Sequence, residues 1–438
     1  MKNFVNIISF LFVAIIPAIT FSQNRQSSQQ INGNTGDIST ITTQQLNGRA
    51  GDVNTITTAV PFLTIAPDSR AGALGDAGVS TSPDINSQHH NPSKYAFMKN
   101  DFGISISYTP WLRQLVNDIN LAYIAGYKKI GGGQVISTSL RYFSLGDITF
   151  TDQVGNVTGQ HKPNEFAYDI GYSRLLGKYM SGSVALRYIN SNLTGGYSGS
   201  GPQTKAGQAF SSDVSAFYYR PMEVEKRKAE LGIGLNISNI GSKLSYTDNA
   251  DKDFLPCMLK LGTSFKLDLD DYNSLLGVVE LNKLLVPTPP IYYSIGDVLP
   301  NGDTVRVPLT YIKYGKDPKV SVPTGIFQSF WDAPGVAADP LHPDDRSRGK
   351  EEWREIDWSF GLEYWYAKQF ALRAGYFHED ATKGNRKFFT VGMGLRLKVF
   401  ALDFSYLIPT SQKNPLENTL RFTLSFDFEG IAKKEKTN

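Results

Sequence analysis

Stretches of about ten residues in which large apolar and small polar side chains alternate recur through most of this 438-residue chain, and they constrain its fold more than any other feature. In 102–109, Phe102, Ile104, Ile106 and Tyr108 alternate with Gly103, Ser105, Ser107 and Thr109. In 357–366, Trp358, Phe360, Leu362, Tyr364 and Tyr366 alternate with Asp357, Ser359, Gly361 and Glu363. Near the end, Leu420, Phe422, Leu424, Phe426 and Phe428 alternate with Arg421, Thr423, Ser425 and Asp427. A period of two sends successive side chains to opposite faces of an extended strand, so each stretch has one apolar and one polar face. Fourteen such segments can be marked, from 102–109 to 418–428. Their length suits a tilted strand crossing a bilayer, and an even count suits a closed single-chain barrel.

The connections separate a membrane barrel from a soluble sandwich. After even-numbered strands they are short: KIGG, LGKY, DLDD, Lys368 alone, and Leu397 with Lys398. PMEVEKRK, at eight residues, is the longest of that set. After odd-numbered strands come 144–163, 191–210, 240–255 and the very long 283–355. Sorting of short and long connections to opposite ends is the mark of periplasmic turns and external loops. The expected fold is all-β, a 14-stranded antiparallel transmembrane β-barrel over 101–428, with a charged tail at 429–438.

The remaining composition agrees. The N-terminus, with Lys2 and an apolar run from Phe4 to Ile19, has the layout of a secretory signal peptide over 1–22, implying export. A lone Cys257 excludes an internal disulfide, and a net charge of +3 gives no footprint for nucleic acid. Residues 23–60 carry a fifteen-residue repeat, NGNTGDISTITT echoed by NGRAGDVNTITT, which reads as a periplasmic extension.

Residues 61–100 fit neither a helix nor a strand, and are too poor in charge for a solvated linker. Small loop-forming residues next to the first strand suit a plug within the barrel wall. The segment SRAGALGDAG, with Gly72, Gly75 and Gly78, followed by INSQHHNPS, resembles the N-terminal hatch of the FadL-like long-chain fatty acid porins. Asn91-Pro92 matches that family's turn, whereas Ser93 stands where Ala is usual. More narrowly, APDSRAGALGDAGVST, SYTPWLRQLVNDINLAY and LRYFSLGDITFTD resemble the PorV family, outer-membrane barrels of the type IX secretion system of Bacteroidota.

That resemblance implies a receptor and cargo shuttle. Such proteins bind the C-terminal signal domain of secreted cargo at the giant translocon barrel. They deliver it to a cell-surface attachment complex containing a sortase-like peptidase, amid outer-membrane lipid and lipopolysaccharide. The alternatives are a FadL-like channel for hydrophobic compounds and a role in lipopolysaccharide deacylation. Largely polar lumen faces count against the first, and the missing Ser–His pairing against the second.

No enzyme, cofactor or metal site is expected. His89 and His90 are adjacent rather than at a ligand spacing, and His378-Glu379-Asp380 has no neighbouring serine nucleophile. The external loops hold the partner-binding candidates: Trp111 and Leu112 after the first strand, and Ile326, Phe327, Phe330 and Trp331 in the longest loop. Apolar side chains at a loop tip ordinarily meet a partner or fold back as a lid.

Overall fold

The computed structural model describes residues 53–111, 118–151, 154–193, 195, 204–247, 252–306, 311–339, 342–411, 416–417 and 419–428. The leader, the first repeat, Leu112 and the charged tail lie outside them.

Fourteen antiparallel strands close into a barrel in chain order. They are β1 (Phe102–Pro110), β2 (Ile119–Gly131), β3 (Gln134–Leu145), β4 (Asn164–Leu175), β5 (Met180–Asn192), β6 (Gly207–Val224) and β7 (Arg227–Gly241). There follow β8 (Met258–Asp268), β9 (Asn273–Leu284), β10 (Ile356–Tyr366), β11 (Phe370–His378), β12 (Lys387–Leu397), β13 (Phe400–Pro409) and β14 (Leu420–Phe428). β14 pairs with β1 from Phe102↔Phe428 to Tyr108↔Phe422, and the stacked Phe102 and Phe428 rings mark one end of the seam.

The alternation places polar side chains inside and apolar ones outside. Ser105 and Ser107 on β1 are buried, whereas Ile104 and Ile106 between them are 44% and 48% exposed. A water-soluble fold would reverse this order, because removing apolar area from water is its main driving force. The outward Ile, Leu, Phe and Tyr side chains therefore form a belt that lipid must cover.

All six short connections lie at one end of the barrel, the turn end, with the chain entry to β1 and the exit from β14. The one apparent exception disappears. PMEVEKRK is no eight-residue loop, because β6 and β7 stay paired out to Val224↔Arg227 across a two-residue turn. Glu225 and Lys226 both take positive φ, 50° and 67°, the backbone of a type I′ hairpin. No residue from Pro221 to Lys228 is buried, so the inward–outward alternation stops four residues before the pairing does.

The long connections gather at the opposite, loop end. The longest, between β9 and β10, holds short helices at Val322–Gln328 and Arg348–Arg354. It also holds two small ribbons, one pairing Ile291–Tyr292 with Ile312–Tyr314 and one pairing Val336–Asp339 with His342–Ser347.

Candidate functional site

The chain before β1 runs through the bore from the loop end to the turn end. At the loop end, Asn54 N–H donates to Thr382 O at 3.0 Å, its side chain to Pro289 O and Glu351 Oε1, and Ala59 N–H to Phe254 O. At the turn end, Asp101 N–H donates to Phe428 O. Residues 53–60 therefore sit among the long loops. The sequence marks them only as the end of the 23–60 extension. The segment has no hydrophobic period, so nothing in its sequence fixes its direction in the bore.

Between these ends the wall grips it from β3 round to β14. Phe62 and Leu63 pack with Leu121, Phe143 and Ile189 in an apolar cluster below the loops. Asp68 accepts the Ala71 N–H at 2.9 Å and caps a single helical turn, Ser69–Gly72. Thr423 receives the Ser69 N–H, Thr390 the Gly75 N–H, and one oxygen of Glu280 both the Gly78 and Val79 N–H groups at 2.7 and 2.8 Å. Asn91 donates to Val79 O and Ala216 O, while Ser173 and Ser181 donate to Pro92 O and Ser93 O. An irregular backbone buried at membrane depth needs such partners for its polar groups.

Close approach explains the glycines on both partners. A β-carbon on Gly375 of β11 would overlap Gly75 N and Leu74 C, and one on Gly234 of β7 would overlap Val79 O. On the segment, Gly75 has φ +68° and lies against the Tyr376 backbone, Gly72 lies under the Arg421 side chain, and Gly78 faces the His90 ring.

Charge holds the rest. Arg70 forks onto Glu363 at 3.0 and 2.8 Å and reaches Asp84 at 2.9 Å, and Glu363 also accepts from Arg373 at 2.7 Å. Arg373 continues to Asp403, so one buried chain of charges joins the segment to β10, β11 and β13. A second group centres on Arg187, which engages Asp169 and Asp213. His90 Nε2 lies 2.6 Å from Asp68 Oδ1. His89 Nδ1 lies 2.6 Å from Arg141.

The loop end carries the other candidates. Trp111 is half-buried over the apolar cluster, with the Arg421 guanidinium 5.9 Å from its ring centre. Ile326 is half-buried, whereas Phe327, Phe330 and Trp331 are 66%, 42% and 49% exposed. Ile326 and Phe327 ride on Val322–Gln328, capped by Ser321, and Phe330 and Trp331 follow it, with Lys316 5.3 Å from the Trp331 ring centre. Trp353 is exposed on the second helix, and sequence reasoning did not single it out within the charged stretch EEWRE.

That run is the anchor of the platform. Lys283 pairs with Glu352 at 3.1 Å and Glu355 at 2.7 Å, and Lys383 with Glu351 at 2.7 Å and Glu355 at 2.9 Å. Beside it, buried Asp332 accepts the Thr288 N–H at 3.1 Å. Burial, with Glu352 and Glu355 nearby, pushes its pKa up to about 6. A carboxyl raised in the folded state stabilises below its unfolded pKa and loses that contribution as pH rises through the folded one. Intrinsic-rate-corrected hydrogen exchange of 287–333 should therefore be slower at pH 4 than at pH 7, and Asp332→Asn should flatten the difference. An unchanged pH dependence in that variant would exclude Asp332 as its source.

Between this platform and the threaded segment lies a cavity of about 230 Å³, lined by Ile56, Thr58, Asp357, Glu379 and Arg386 among others. Glu379 accepts from Arg386 at 2.8 Å, and Asp380 from the Thr382 N–H, so these loop-root acids hold the 379–386 turn in shape.

A family model described as type IX secretion system protein PorV matches residues 48–291, more than half of the chain. No curated protein matches. Similar solved structures include the Pseudomonas putida toluene transporter TodX, at 10% identity and TM-score 0.43, covering 86% of this chain and 100% of that one. The Ralstonia pickettii toluene transporter TbuX is similar at 9% identity and TM-score 0.39, covering 83% and 98%. A Pseudomonas aeruginosa FadL homologue is similar at 10% identity and TM-score 0.40, covering 86% and 100%.

Proposed function

The chain belongs to the PorV family, outer-membrane components of the type IX secretion system, and from that premise we propose that its loop end is a receptor for the C-terminal signal domain of secreted cargo. The barrel takes the domain as it leaves the translocon and hands it to the surface attachment complex. Residues 61–100 act as a hatch that keeps the bore shut meanwhile. No covalent step is assigned to it.

One observation carries this reading. Phe327 at the end of the Val322–Gln328 helix and Phe330 and Trp331 just after it stand exposed, and the Ala333 N–H that follows them donates to Glu352 of the ion-paired second helix at 3.0 Å. Exposed aromatic residues on a rigid support are what binding hot spots are made of. The filled bore supports a receptor over a channel for hydrophobic compounds, since inward positions bear Ser, Thr, Asp, Glu and Arg.

The test is a Phe330→Asp, Trp331→Asp double substitution in the native cell. Co-purified signal domains should fall by about tenfold or more, in line with the loss of two hot-spot contacts. The barrel should remain inserted and heat-modifiable on gels. Normal cargo recovery and surface delivery would remove the platform from consideration.

A further inference from the structure

Where Thr64 and His89 of the threaded segment face β5, β7 and β8, they help to enclose a polar cavity of about 10 Å³. That is room for one water or one monatomic ion. Arg187, Ser238, Asn239 and Lys260 complete its polar wall.

Two donors in that wall have no acceptor among the described residues. Arginine only donates, so at the Arg141 contact His89 Nδ1 is the acceptor and the ring proton sits on Nε2. His89 Nε2 is buried without a protein partner. Lys260 is 7% exposed, and among the described residues no carboxylate stands within 4.0 Å of its ammonium. The nearby acids are engaged elsewhere: Asp169 and Asp213 with Arg187, Asp76 with Arg421, and Asp357 with Arg386. A buried ammonium without a counter-charge is costly, and a donor without an acceptor adds to that cost.

We propose that this cavity is a halide site, in which one chloride ion accepts from Lys260 of β8 and from Nε2–H of His89. A cation would meet Arg187 and Lys260, with Arg141 one contact behind His89. A carboxylate or phosphate is too large. Water would satisfy the donors but bring no negative charge to Lys260, whose nearby carboxylates Asp76 and Asp357 already lie against guanidiniums. Because His89 belongs to the segment and Lys260 to the wall, the ion fastens one to the other. Thr64 and Met258 line both this cavity and the larger one at the loop end, so the two are neighbours on that side.

Chloride-35 NMR line broadening on the full-length protein in detergent micelles tests this. The wild type should broaden the signal in excess of a halide-free reference barrel, and added bromide should abolish the excess. Lys260→Gln should reduce it at least tenfold, while Lys283→Gln, in the loop platform, should not. Crystals grown in sodium bromide provide a second reading that needs no variant: an anomalous peak between His89 and Lys260 is expected. A water refined there with no anomalous signal, or equal broadening by folded Lys260→Gln, would overturn the proposal.

Discussion

Gly375→Leu is expected to convert a closed bore into an open one. The wall and the segment meet there backbone to backbone, so neither Gly75 N nor Leu74 C can swing aside from a new β-carbon. Small-to-large changes in a packed interior cost stability unless something moves, and here the movable partner is the segment rather than the hydrogen-bonded barrel. Its loss from this part of the lumen should raise ion permeation through planar bilayers by about tenfold or more, as befits a wide barrel without its filling. Gly277→Leu on β9 is the control. It faces outward, where only Leu362 at 3.8 Å would be met, and it should stay closed. A Gly375→Leu barrel that inserts normally and conducts no better than that control would show that 61–100 does not seal the pore.

The second large effect is expected at Glu363. Its two oxygens receive Arg70 and Arg373, and all three side chains are at most 7% exposed. Glu363→Gln leaves two guanidiniums side by side in a buried place. Removing one partner of a buried ion pair costs about 3–5 kcal/mol, mostly because the surviving charge is stranded. Guanidinium chloride unfolding in micelles should register a loss of that order. Arg70→Met should also destabilise, while the double variant should recover part of the sum, with a coupling of about 1–3 kcal/mol. Strict additivity would mean that the segment and β10 are not energetically joined through this pair.

Both experiments concern contacts that the chain's pattern only half discloses. The barrel was legible because each wall residue has just two choices, lipid or lumen, and alternation records that choice position by position. Phe102 to Thr109 shows this without any knowledge of neighbours. Inward charges such as Glu363 and Arg421 were visible as members of the polar face. Their pairing was not, because partners such as Asp169 and Arg187 lie on different strands and depend on register. The threaded segment was harder still. Its glycines mark close approach, but Gly75 does not say that its neighbour will be Tyr376, and no period tells which end of 61–100 is up. The β6–β7 hairpin was shortened in the reading because Glu223 to Lys228 face water on both sides, where alternation has no cause. Among the loop candidates, Phe327, Phe330 and Trp331 are each exposed, while Trp111 lies half-buried beside Arg421.

The course of the segment bears on how the molecule can be built and opened. Asn54 is tied to one mouth of the bore, and Asp101 continues into the wall at the other. A polypeptide laid this way is a rope through a pipe rather than a cork in a neck. It cannot be withdrawn toward the turn end unless everything preceding Asn54 is dragged along the lumen after it. Nor can it leave by the loop end, since it is covalently continuous with β1. Thr423 and Ser69 meet across the last strand, so the most economical assembly order lays the segment down first and zips β14 to β1 around it. Any opening in the finished protein must then be a rearrangement in place, a slackening of the rope between two fixed ends.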